Sequence, residues 1–122
     1  MKRLILSVPH LIYGLYCQIF LVVTGFTIEK ITLEGDCRVF EMEGMGSVKE
    51  KILLLDNESM TLQYSAIETR TPLQHHLATM KITSIDEDTC QLDWTTEIDP
   101  EIFADAIHQG MLISIDGIKA VI

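Results

Sequence analysis

The sequence predicts an α+β domain in which a curved antiparallel β-sheet wraps around a long C-terminal α-helix. Three observations carry this. From Phe26 to Ile98, short runs rich in β-branched and aromatic residues alternate with turn clusters, as in an antiparallel meander. Within several runs apolar and polar residues alternate, so one face of the sheet is covered and the other is wet. After Ile98 the pattern changes to a helical one, opened by Asp99-Pro100-Glu101. A chain of 122 residues accommodates one such domain, spanning 1–122, and leaves no room for two.

The N-terminus reads as a strand from Lys2 to Val8, ended by Pro9, which suits a helix start because its missing N–H costs nothing there. Leu11, Ile12, Leu15, Phe20 and Leu21 then give partial helical spacing, and Gly25 closes the segment. The alternative is a secretory signal or membrane anchor, since Met1-Lys2-Arg3 precedes an apolar tract. Pro9 and His10 break that tract, and a span needs about 20 consecutive apolar residues. The expectation is therefore a cytoplasmic protein without stable membrane insertion.

Six strands follow: Phe26 to Leu33, Cys37 to Met42, Ser47 to Leu55, Met60 to Glu68, His75 to Ile85 and Thr89 to Ile98. Their turns are Glu34-Gly35-Asp36, Glu43-Gly44-Met45-Gly46, Asp56-Asn57-Glu58, the Pro72 loop and Asp86-Glu87-Asp88. Leu62, Tyr64 and Ala66 share one face of their strand. His76, Ala78, Met80 and Ile82 share one face of the next, and Leu92 and Trp94 one face of the last. The final helix runs from Pro100 with Asp99 as its cap, and Ile102, Phe103, Ala106, Ile107, Ile113, Ile118 and Val121 supply its apolar stripe. Gly110 and Gly117 either allow close approach to the sheet or leave space for a ligand. Strand, helix, six strands and long helix make the helix-grip plan.

Composition narrows the function. A net charge of −9 with no local Lys/Arg cluster excludes nucleic-acid binding as an expectation and disfavours anionic lipid. Hydrophobic residues make up 48% of the chain. Such a surplus ends in a membrane segment, an oligomer interface or a lined cavity. Cys17, Cys37 and Cys90 contain no CxxC pair, which points to buried free thiols rather than a disulfide framework or zinc. No phosphate loop or nucleophile motif is present, and neither a cofactor nor a metal is expected.

Several stretches resemble a known family. Thr61-Leu62-Gln63-Tyr64-Ser65-Ala66-Ile67-Glu68, the Pro72 loop, Leu77-Ala78-Thr79-Met80-Lys81-Ile82, Leu92-Asp93-Trp94 before Asp99-Pro100, and Glu50-Lys51-Ile52-Leu53 ending in Asp56 carry the likeness. They resemble the polyketide cyclase/dehydrase-like (SRPBCC) branch of the START and pollen-allergen superfamily. The resemblance implies an apolar cavity between sheet and C-terminal helix, and lipid-like, aromatic or polyketide-like ligands. It does not imply catalysis. Such proteins usually carry two short helices and an aromatic residue near the cavity mouth, whereas Leu11 to Gly25 is short and lacks tryptophan. The turn from Glu43 to Gly46 also lacks the Ser-Gly-Leu-Pro gate of the plant hormone receptors, so a receptor role is not implied.

Polar residues on the apolar face are the informative ones, because burial without a partner costs about 1–3 kcal/mol. Strand parity selects Arg38, Glu50, Tyr64 and His76, with Trp94 as an aromatic wall. Met80, Ile107 and Met111 complete the candidate pocket. Glu50 is either a pocket carboxylate or half of a structural ion pair with Arg38, depending on hairpin register. His76 is either a general base, a donor to a ligand carbonyl, or a satisfied histidine near the rim. No catalytic residue is assigned. The expected function is binding of a hydrophobic small molecule. The alternatives are a cyclase or dehydratase using pocket acid–base residues, and a homodimer whose cavity is filled.

Overall fold

The computed structural model describes residues 1–12, 32–42, 44–56, 58–86 and 89–121. The strands are β1 (Lys2–Ile12), β2 (Thr32–Glu34), β3 (Cys37–Met42), β4 (Gly46–Asp56), β5 (Thr61–Thr69), β6 (His75–Ser84) and β7 (Thr89–Asp99). A 3₁₀ turn, Glu101–Phe103, leads into helix α1, Ala104–Val121. All seven strands form one antiparallel sheet in the order β1-β7-β6-β5-β4-β3-β2. Each consecutive pair from β2 to β7 is a hairpin. β1 returns to pair with β7, so the first and last strands meet at one end of the sheet.

The sheet is curved, and the sequence supplies the bends. The β4–β5 register shifts between Lys49 and Glu50, where Ile67 is extra, and between Ile52 and Leu54, where Leu53 is extra. Extra residues of this kind bend a strand and increase its twist. The concave face holds the core. Cys90, Leu92, Trp94, Thr96 and Ile98 alternate strictly along β7 as buried residues, and Ala78, Met80 and Ile82 do so along β6. Ala104, Ile107, Met111 and Ile115 of α1 pack onto this face. Their spacing of three or four residues places them on one side of the helix.

Four expectations need correction. Pro9 does not end the first strand, which continues to Ile12. Val8 pairs with Leu92 and Leu11 with Cys90, so Pro9 and His10 occupy a bulge on an edge strand, where a missing N–H breaks no ladder bond. The predicted helix start at Pro9 is thus wrong, and its remainder to Gly25 lies outside the described residues, as do Phe26 to Ile31 of the next strand. Asp99 does not cap the last helix. It pairs with His75 in the ladder, and its carbonyl accepts a hydrogen bond from the Gln74 N–H at 2.8 Å. Pro100 opens the 3₁₀ turn with no side-chain cap. Third, Ile102 and Ile113 are exposed, at 82% and 55%, so the apolar stripe is rotated from the predicted one. Finally, Cys90 is buried but Cys37 only half-buried, while Cys17 lies outside the described residues.

β4 outlasts its neighbour. Its pairing with β3 stops at Lys51, and Ile52, Leu53, Leu54 and Leu55 beyond it are all exposed. No helix among the described residues is long and apolar enough to cross a membrane.

Candidate functional site

A cavity of about 640 Å³ lies between the concave face of the sheet and α1. Size and lining match ordinary small-molecule sites, which are mostly apolar with a few placed polar groups. Phe40, Met45, Val48, Ile107 and Met111 are the main apolar walls. Two small residues border the cavity. Ala66 lies opposite Glu50 across β4 and β5, and Gly110 faces the cavity from the helix. Among the described residues, the space between sheet and helix is open rather than packed.

Seven of the eight residues picked from sequence line this cavity: Arg38, Glu50, Tyr64, His76, Trp94, Ile107 and Met111. Met80 does not. It is fully buried in the core, paired across the sheet with Leu62 and Trp94. Parity selected the right face for Met80, but parity does not separate the packed part of a face from the hollow part. Thr96, Ser114 and Ala66 also line the cavity and were missed. Thr96 was readable, since it follows Trp94 at the same parity. Ser114 stands three residues after Met111 on the helix and carries the same signal.

The β3–β4 hairpin decides the Glu50 question. Arg38 and Glu50 are directly opposite in register. Arg38 Nε donates to Glu50 Oε1 at 2.7 Å, and a second guanidinium nitrogen lies 2.6 Å from the same oxygen. Both charges are sequestered, Glu50 at 6% exposure and Arg38 at 15%. Burial pushes the Glu50 carboxyl above the ordinary range, and Arg38 opposes that shift. The guanidinium also sits over the Phe40 ring at 4.9 Å and the Tyr64 ring at 5.8 Å, within cation–π range.

His76 is held by the backbone. The β5–β6 ladder ends at the Tyr64–Ala78 pair. Two residues on, the Ala66 N–H donates to His76 Nδ1 at 2.8 Å, and the Ser65 hydroxyl donates to the His76 carbonyl. The imidazole thus takes the place of a ladder acceptor. Burial, and secondarily the neighbouring His75, lower its pKa to about 4. A neutral ring that accepts at Nδ1 carries its proton on Nε2. His76 can therefore donate to the cavity but has no free lone pair with which to act as a base.

Tyr64 is 9% exposed, and burial together with the Glu50 charge pushes its hydroxyl well above the usual range, so it stays protonated. Trp94, at 4% exposure, turns its indole N–H toward the Tyr64 oxygen without reaching hydrogen-bond geometry. The turn between β3 and β4 borders the cavity through Gly44 and Met45. Gly44 there has φ +87°, and a Cβ on it would lie 3.0 Å from the Ala106 Cβ of the helix.

No protein-family model matches the sequence, and no curated protein matches it. Solved structures do match in fold. Norcoclaurine synthase from Thalictrum flavum, in complex with dopamine and hydroxybenzaldehyde, superposes with a TM-score of 0.74 at 18% identity, covering 98% of this chain and 85% of that one. The Zhui aromatase/cyclase from Streptomyces sp. R1128 gives 0.76 at 13% identity, covering 98% and 92%. The protein XoxI from Bacillus cereus gives 0.71 at 18% identity, with the same coverage as the cyclase. With its antiparallel sheet closed around one C-terminal helix, this chain has the helix-grip fold of those proteins.

Proposed function

We propose that this protein binds a neutral, largely apolar small molecule in the cavity between sheet and helix, as a carrier or sensor. The observation that carries the reading is the cavity itself: about 640 Å³, walled by apolar side chains and bordered by a few hydrogen-bonding groups. Burial of ligand surface, at roughly 25 cal/mol per Å², would supply the affinity. The polar groups would fix orientation. A helix-grip neighbour holding dopamine and hydroxybenzaldehyde, and another that is an aromatase/cyclase, support the class of ligand without naming it. The test is native mass spectrometry and solvent extraction of the purified protein, repeated on Ala66→Leu and Gly110→Leu. A bound apolar molecule that both variants lose supports the reading. Its retention by both variants, or no bound or bindable molecule in the wild type, contradicts it.

A second reading, a cyclase or dehydratase, is favoured by one observation. Arg38 Nε and a second guanidinium nitrogen both contact Glu50 Oε1, and Oε2 has no hydrogen-bond partner among the described residues. A buried carboxyl with a raised pKa and one free oxygen can exchange a proton with a bound molecule. His76 contributes no base in this scheme. Glu50→Gln separates the readings, because it removes turnover in an enzyme and leaves a carrier's affinity within a few-fold.

A further inference from the structure

We infer that the sheet carries a port into the cavity between β5 and β6, closed by the His76 imidazole. The inference rests on the cavity being a ligand site, and it adds the route by which a ligand enters and leaves. Ladder pairing between β5 and β6 runs from Thr61–Lys81 to Tyr64–Ala78 and stops there, although β5 continues to Thr69 and β6 begins at His75. Beyond that point each strand keeps its other neighbour. β5 is paired with β4 as far as Thr69 with Val48, and β6 with β7 as far as His75 with Asp99. The loop that joins the two strands is tied to both sides. The Arg70 guanidinium lies against Gly46 at the start of β4, and the Gln74 N–H donates to the Asp99 carbonyl of β7 at 2.8 Å. The two strands thus diverge and leave a seam without ladder bonds.

Side chains cross this seam in place of the backbone. The Ser65 hydroxyl donates to the His76 carbonyl, and the Ala66 N–H donates to His76 Nδ1 at 2.8 Å. His76 and Ala66 both line the cavity, and neither is fully buried. Ser65, one residue away, alternates to the other face of the sheet and does not line the cavity. The bridge therefore spans the sheet from its inner face to its outer one. Opening a continued ladder would break several backbone bonds together. Here one imidazole blocks the seam, held by one hydrogen bond from Ala66. Rotation of that ring breaks this bond and leaves the β4–β5 and β6–β7 ladders intact, and side-chain rotations are far faster than collective backbone motion. Passage between the β3–β4 turn and the helix, by contrast, requires backbone movement, because Gly44 packs closely on Ala106. A port changes the rates of entry and exit by the same factor and leaves the affinity unchanged.

The test follows the fluorescence of N-phenyl-1-naphthylamine, a neutral apolar probe, in stopped-flow binding and displacement. The proteins are the wild type, His76→Ala, His76→Gln and Ser65→Ala, with circular dichroism confirming the fold of each variant. His76→Ala is expected to raise the association and dissociation rates together by about tenfold, the value of one hydrogen bond that holds the port shut. Its Kd should stay within about threefold of the wild type. Gln presents an acceptor to the Ala66 N–H, so His76→Gln should exchange the probe within about twofold of the wild-type rates. Ser65→Ala alters no cavity-lining residue, should speed both rates by about threefold, and decides the matter if His76→Ala does not fold. Unchanged rates in His76→Ala, or in Ser65→Ala where that variant alone folds, overturn the port and leave the cavity site standing. Faster dissociation alone, with Kd raised in proportion, also overturns the port, because it marks His76 as a ligand contact. No saturable binding of the probe by the wild type overturns both the port and the binding function on which it rests.

Discussion

Arg38 and Glu50 show what a buried pair does and does not contribute. Removing both charges from an interior is often neutral, whereas removing one strands the other at a cost of about 3–5 kcal/mol. Arg38→Met is therefore expected to lower the urea midpoint sharply, and Arg38→Met combined with Glu50→Leu to recover most of the loss. If the double variant is as unstable as the single one, the pair holds the hairpin in a way that its charges do not explain. His76 makes the pH prediction. Its folded pKa of about 4 lies below the unfolded value of 6.5, so between these limits the unfolded chain binds more protons. Stability from this group is thus complete above pH 6.5 and is lost as the pH falls toward 4, by about 3–3.5 kcal/mol at most. Glu50 runs the other way, since its raised pKa favours the folded state at low pH. The comparison of urea stability curves between wild type and His76→Gln isolates the histidine. A shallower acid limb in the variant is expected, and an unchanged limb would mean that His76 is not held neutral.

Among the elements, the turn between β3 and β4 is the most tightly constrained. Gly44 combines a positive φ with close approach to Ala106, and Gly46, at φ +77°, lies against the Arg70 guanidinium, 2.6 Å from where a Cβ would sit. Gly35 has a positive φ too, but nothing stands within 4 Å of its missing Cβ. Gly35→Ala should therefore cost only the backbone penalty of about 1 kcal/mol, and Gly44→Ala distinctly more, as read from thermal unfolding. Equal losses would show that the turn does not press on the helix. Because this turn borders the cavity, Gly44→Ala should also alter ligand exchange. The first strand teaches a different lesson. Pro9 looks like a terminator in sequence, yet on an edge strand its missing N–H meets no partner. Edge position is a property of the assembled sheet, and no local signal announces it.

For the whole molecule, the meander from Cys37 to Ile98 was legible because turn clusters bound every strand and the β6 and β7 patterns alternate cleanly. The cavity was legible only in outline. Parity brought Glu50, Tyr64, His76 and Trp94 to the concave face, but that Arg38 meets Glu50 depended on hairpin register. The Ala66 N–H that fixes the His76 ring depends on where one ladder ends. Asp99 failed as a predicted cap for the same kind of reason, since a cross-strand partner had already claimed its backbone. Which part of the concave face is hollow depends on helix placement, hence the different fates of Met80 and Met111. The central claim is that this hollow holds a ligand, and amide-resolved NMR titration with 2-acetylnaphthalene tests it most directly. Saturable one-site binding is expected, with shifts concentrated at Ala66, Thr96 and Gly110. Absence of saturation, or shifts centred on exposed Leu53, Leu55 and Ile67, would contradict it.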